Sequence, residues 1–439
     1  MKRAKRILIG VCCVALLAVS WVIAITAKSD AEKQAELIDQ AAAYTADEIY
    51  VLAVPLLEEA VGFNTDRTLE AENALKDVYK HLLNQRGYSR KYTSLLDTQM
   101  YREDALPEYF EEAAQFYLGR SKLADALTVL RSGVEKTGDT RLTDLYEENR
   151  YKYSMGIDYY FDVTSTANGA IQVQIDGKWG IASATGSLVI PCEYDRISTF
   201  SNGKAIVQKD NVISAVDENN NRVALLHESA SEFGNYAADR TCLFIGNGWV
   251  ISSGSFTTGQ QTFEEFGMYS NGYAPVKQNG KWGLINTSGS EWLVEPQYDD
   301  IIRDELGRAY SQGVYFASNG DQIYLYTTEG EQAGGPYEDA KPFADGWAAV
   351  MKNGKWGFID TVGNVQIDFQ FDNALSFGQH LAAVEVDGQW GYVSKYGKVV
   401  IDPIFLSAKS FYNGSAPVQT VDGWRFITLT EYKGGANLL

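Results

Sequence analysis

Gly354-Lys355-Trp356-Gly357-Phe358-Ile359-Asp360 is the stretch on which the reading of the second half of this chain turns. The preceding Asn353 and Gly354 suit a hairpin turn, because Gly tolerates the positive φ that such turns need. Trp347 to Met351 and Lys355 to Asp360 then become two antiparallel strands. Another Gly turn at Gly363-Asn364 leads into a third strand, Val365 to Phe369. Gly357, directly after the Trp, has no Cβ and admits a neighbouring backbone or ring at close range.

The string recurs. Gly-Lys-Trp-Gly also stands at Gly177 to Gly180 and at Gly280 to Gly283, with Gly388-Gln389-Trp390-Gly391 and Gly423-Trp424 as variants. Trp356, Trp390 and Trp424 are evenly spaced, and Trp249 and Trp282 are separated by one position less. The interval from Trp179 to Trp249 holds two such periods, with a Trp missing near Val212. Other positions keep the phase. An aromatic followed by an acid comes at a nearly constant distance after the Trp, as in Tyr194-Asp195, Tyr298-Asp299 and Phe371-Asp372. A Phe follows at a fixed distance, as in Phe200, Phe377 and Phe411, and the same count from Val212 reaches Phe233. A second degenerate unit centres near Ile323. Periods of roughly 20–50 residues mark arrays in which each unit packs against its neighbours. The expectation is an all-β domain of about eight units, each of three short strands.

Tyr160-Phe161-Asp162 precedes Trp179 at the distance at which Tyr337-Glu338-Asp339 precedes Trp356, whereas the unit of Trp424 stops short of its own aromatic–acid pair. The N-terminal piece can therefore supply what the last unit lacks. A propeller-like ring would use it to close and to remove exposed sheet edges. An open β-solenoid accounts for the same spacings.

The Gly-Lys-Trp-Gly-x-Ile string, with Pro191-x-x-Tyr194-Asp195 and Phe200-x-x-Gly203 downstream, resembles the WG-repeat (KWG-repeat) family over roughly residues 159–430. The resemblance implies bacterial, β-rich repeat modules and brings no catalytic residues with it. Trp179, Gly180, Trp249, Trp282, Gly283, Trp356, Gly357, Trp390, Gly391 and Trp424 are expected to be structural, since Trp in a fixed register between units is a core anchor. Trp292, Trp347, Tyr273 and Tyr310 fall outside that register and are the candidates for an exposed binding face.

Upstream of residue 155 the period changes. Ala, Leu, Glu, Lys and Gln dominate, and apolar residues recur at three- and four-residue steps, which predicts helices. Breaks fall at Arg86-Gly87, at Gly119 and at Thr137-Gly138. The paired helices resemble tetratricopeptide-type hairpins, and a plain helical stalk or bundle fits the same pattern. At the start, Lys2, Arg3, Lys5 and Arg6 precede an unbroken apolar run, Ile7 to Ala27. As a helix that run spans roughly 30 Å, enough for a bilayer core. It predicts a transmembrane signal-anchor with a cytoplasmic N-terminus and an extracytoplasmic bulk. A cleavable signal peptide is the rival. The expected organisation is residues 1–28 as tail and anchor, 29–155 helical, 156–430 repeats and 431–439 a C-terminal tail.

A net charge of −19 makes nucleic acid a poor partner, because phosphate binding needs a basic surface. His81, His227 and His380 show no metal-ligand spacing, and neither a P-loop nor a Gly-x-Ser-x-Gly elbow occurs. No catalytic residue, cofactor or metal is therefore expected. The acids Asp195, Asp299 and Asp372 recur in phase, which suits a turn-orienting role in every unit better than catalysis at one. Cys192 and Cys242 read as two separate thiols. The expected function is that of a membrane-anchored binding or scaffold protein acting on a protein partner, with a cell-wall or carbohydrate-binding surface as the alternative.

Overall fold

The computed structural model describes residues 28–431. They divide into two compact units, one ending at Tyr146 and the other beginning at Glu147.

The first unit is helical: α1 (Asp30–Ala46), α2 (Tyr50–Val61), α3 (Thr68–His81), α4 (Tyr88–Tyr101), α5 (Pro107–Leu118), α6 (Leu123–Thr137) and most of α7 (Thr140–Arg150), whose last four residues fall in the second. Ser29 caps α1 and is answered by Glu32 in a reciprocal capping box, which satisfies two backbone donors. Gly87 and Gly138 take left-handed φ of 95° and 66° at the helix boundaries where the sequence places breaks. Small residues let the helices cross closely. Ala53, Ala60 and Ala71 are fully buried, and a Cβ at Gly133 would lie 2.7 Å from both Phe110 and Leu142.

None of the helices among the described residues is long and apolar enough to cross a membrane. The longest, α1, has 17 residues and carries Asp30, Lys33 and Glu36, short of the roughly 20 apolar residues a span requires. This corrects the expectation of a transmembrane helix in the fold, and with it the assignment to the cell membrane as a single-pass protein. The segment Ile7 to Ala27, on which that expectation rested, lies outside the described residues.

The second unit is a ring of eight four-stranded antiparallel sheets, an eight-bladed β-propeller. In chain order the blades are 1 (162–194), 2 (196–225), 3 (230–263), 4 (265–298), 5 (300–337), 6 (339–371), 7 (373–405) and 8 (407–429 with 153–155). The expectation of three strands per unit is corrected to four. The missed strand is short, two residues in all blades but the third, and in blades 2, 4, 5, 6 and 7 it directly follows the aromatic–acid pair, as Asn373-Ala374 follows Phe371-Asp372. Two residues carry no readable alternation, so the pattern hid it.

Ring closure uses the N-terminal piece. Tyr153–Met155 pairs with Ile427 to Leu429 as the outer strand of blade 8, and Tyr160 exchanges two 2.9 Å backbone hydrogen bonds with Trp424. The open solenoid is thereby excluded. Blades are joined by aromatic contacts: Phe343 stacks on Phe316, while Phe377 meets Phe358 and Phe411 meets Tyr392 edge-on, with centroids 5.4, 4.8 and 4.7 Å apart. In blade 2 the register places Ile213, opposite Gln208, at the Trp position, one residue beyond Val212. The place that Phe200 takes just before the Ser201–Lys204 bridge is taken in blade 3 by Tyr236, fully buried just before the Ala237–Arg240 bridge, and Phe233 ends the short strand before it.

Candidate functional site

The in-phase residues build the ring. Trp282, Trp356, Trp390 and Trp424 are buried, while Trp179 and Trp249 are half-buried. Each following Gly lies against the bulged outer strand of its own blade: a Cβ at Gly180, Gly283, Gly357 or Gly391 would sit 2.4–2.8 Å from a carbonyl oxygen there. The register slips in that strand, since Trp356 faces Phe371 while Phe358 faces Ile367, and the bulge brings the backbone over the glycine.

The repeat Lys and the repeat Asp meet. Lys178, Lys281 and Lys355 reach Asp195, Asp299 and Asp372 at 2.5 Å. The second carboxylate oxygen of each accepts from the hairpin turn of the next blade: from Asp210 N–H at 3.1 Å, Gly320 N–H at 2.8 Å and Asp387 N–H at 2.8 Å. The lysine bond, followed by the amide bond, holds Asp299 and Asp372 below the ordinary carboxylate range. These acids thus tie one blade to the next.

Departures from the repeat gather elsewhere, around a cavity of about 870 Å³ in the ring. In seven blades six residues join the short first strand to the second; in blade 5 the connector runs from Ile302 to Gly313, twelve residues. It reaches several other blades. Met268 N–H donates to Gly307 O at 2.8 Å, Asn235 Nδ2 donates to Leu306 O at 3.0 Å, and Leu306 is buried among Ala167, Ala237 and Met268. Glu305 accepts from Ser165 N–H of blade 1 and pairs with Lys409 of blade 8, forming a strut beside the cavity.

The cavity wall includes Arg303, Arg308, Lys341 and Lys409 against Asp304, Glu305 and Asp345. Arg303 lies 3.8 Å above the Trp282 ring, Lys341 4.9 Å above Trp356 and Lys409 5.5 Å above Trp424. His380 occupies a turn position with φ of 68°, where six of the other seven blades have Gly. Its N–H donates to Asp345 Oδ2 at 2.6 Å, and Lys395 Nζ stands 3.3 Å from the same oxygen.

The four out-of-phase aromatics do not form one exposed face. All are half-buried. Trp292 meets Phe263 edge-on at 6.4 Å, Trp347 meets Phe377 at 5.1 Å, and Tyr273 meets Tyr310 at 5.4 Å. Tyr310 alone among them lines the cavity. Cys192 and Cys242 are free thiols. Among the described residues no group of three or more His, Cys, Asp or Glu could hold a metal ion.

Sequence reading missed the blade 5 connector and its cations. A signal was present: the interval from Trp282 to Ile323 is longer than that from Trp249 to Trp282 or from Trp356 to Trp390. Extra length in one unit of an array maps to a loop on one face.

The family of the WG containing repeat matches the chain at residues 179–212, 262–282, 282–321, 337–356, 356–390 and 390–424. No curated protein matches it. Similar solved structures include KlHsv2 with loop 6CD replaced by a Gly-Ser linker, at 8% identity over 64% of this chain and 98% of that one, TM-score 0.36. The WD40 domain of Neurospora crassa Pan2 is 8% identical over 63% and 90%, TM-score 0.35. Apo AztD from Citrobacter koseri is 11% identical over 63% and 94%, TM-score 0.36.

Proposed function

We propose that this WG-repeat-containing protein, whose repeats run across residues 179–424, is a non-catalytic scaffold that binds a protein partner at the cavity of its ring. The observation that carries this reading is the separation of roles within the repeat. Residues in phase hold blades together, whereas the departures from phase (the long connector, Arg303, Lys341, Lys409 and His380) converge on one cavity. Repeat arrays bind in this way because a common frame leaves connectors free to vary. The half-buried, edge-packed state of Trp292, Trp347, Tyr273 and Tyr310 supports a protein partner over a glycan, which would need flat exposed rings.

A photo-crosslinking amino acid placed at Tyr310 on the cavity wall, or at Val365 on an outer strand, tests the proposal in cells of the source organism. Adducts with a discrete protein from position 310 and none from 365 are expected. Adducts from 365 alone, or none from either site, would count against it.

A further inference from the structure

We infer that the cavity beside the Glu305 strut takes a short acidic segment of the partner, whose carboxylates meet Arg303, Lys341 and Lys409. The inference rests on the scaffold reading and adds the chemistry of what is bound.

The chain has 57 acidic and 38 basic residues, yet four Lys and Arg line this cavity against three carboxylates. Those carboxylates are engaged within the wall. Asp304 is held by Arg308 at 2.6 Å and accepts from the N–H groups of Leu306 and Arg308. Glu305 pairs with Lys409 and Ser165, and Asp345 with Lys395 and the His380 N–H. The cations differ in how far they are engaged: Arg303 pairs with Asp300 at 2.8 Å and donates to Ile301 O, and Lys409 pairs with Glu305, whereas Lys341 is the least committed, with its ion pair to Asp339 stretched to 3.5 Å.

The placement of these cations is particular to this part of the ring. Lys341 and Lys409 open the connectors of blades 6 and 8, where blades 1, 2, 3, 4 and 7 have Thr164, Ser198, Gly234, Gly267 and Leu375. A cation that served the frame would recur in every blade. Stacking over Trp282 and Trp356 also limits the freedom of Arg303 and Lys341 before anything binds, which lowers the entropy lost on binding. The volume of about 870 Å³ falls in the range of roughly 300–1,000 Å³ typical of ligand pockets, enough for a few residues and not for a folded domain. Leu375 and Trp390 supply apolar wall for the stem of such a segment.

The test is fluorescence anisotropy with the full chain and a labelled decapeptide of glutamate. Lys341→Glu and Lys341→Gln are the site variants, and Lys398→Glu on an exposed position is the charge-matched control. Binding that weakens with salt, and weakens about tenfold or more in both Lys341 variants but not in Lys398→Glu, is expected. Unchanged melting temperatures show that the variants fold. No binding by the native chain, or equal loss in Lys398→Glu, overturns the inference. Displacement of the peptide by free glutarate at the same carboxylate concentration also overturns it, because the cavity would then serve a small acid. The two readings separate in the crosslinking experiment. A partner trapped at position 310 with equal yield in the Lys341→Glu background leaves the scaffold standing and removes the acidic segment.

Discussion

Gly391 faces the bulged outer strand of blade 7, where a methyl group would lie 2.5 Å from the Ile401 carbonyl oxygen and 2.7 Å from Pro403 N. Gly391→Ala is therefore expected to lower stability by about 1–3 kcal/mol, the usual cost of overpacking, read from the midpoint of urea unfolding; an unmoved midpoint would mean the bulge yields. The acid that follows the bulge in blade 6, Asp372, gives a pH prediction. Its folded-state value is depressed by Lys355 and by the Asp387 amide. The contribution is complete above the unfolded value of about 3.9 and is lost as pH falls through the lower folded value. Asp372→Asn is expected to flatten the acid limb of stability against pH and to leave its neutral side with little slope; an unchanged acid limb would show that the pair is not coupled to folding. The importance of both residues was legible from recurrence in phase, but their partners were not. A Gly that repeats announces a close approach without saying to which atom.

The connector of blade 5 shows what an element adds. Its twelve residues contact blades 1, 3, 4 and 8, while the six-residue connectors elsewhere show that the ring closes without such length. Replacing residues 302–313 with the six-residue connector of blade 6 should keep the β-sheet circular dichroism spectrum. The amides of Ser165 and Met268, which lose their acceptors on Glu305 and Gly307, should exchange hydrogen markedly faster. Unaltered exchange at both would show that other groups hold those amides. Element length was visible as a stretched period, whereas the reach of the loop across the ring was not, because it depends on residues in other blades, Ser165 and Lys409 among them, that lie more than a hundred positions away. The short first strands were illegible for a different reason: two residues are too few for any periodicity, and they form only because the neighbouring hairpin offers an edge.

Closure belongs to the whole molecule. The outer strand of blade 8 is Tyr153–Met155, and Tyr151 is buried beside it with Phe405 and Leu429. A chain beginning at Gly156 would leave the 427–429 edge unpaired, which invites association between copies. Compared with a chain beginning at Glu147, it should melt several degrees lower and scatter more light on heating. Equal melting would mean that Tyr160 and Trp424 suffice to close the ring.

The sequence by itself determined that a helical segment precedes a β-repeat array, how many units the array has, and which residues keep phase in the units that retain their Trp-Gly. These follow from local rules: side-chain period, turn chemistry, and Gly placed where a Cβ would not fit. Its reading of a membrane anchor rested on the apolar run Ile7 to Ala27 and the basic residues before it, and the described helices supply no such span. Only the tertiary structure decided that the array closes, that each blade has a fourth strand, and that Arg303, Lys341, Lys409 and Glu305 share one cavity. Pairing across the seam between residues 153 and 429, and ion pairs such as Glu305 with Lys409, join positions too distant in the chain for any local pattern to record.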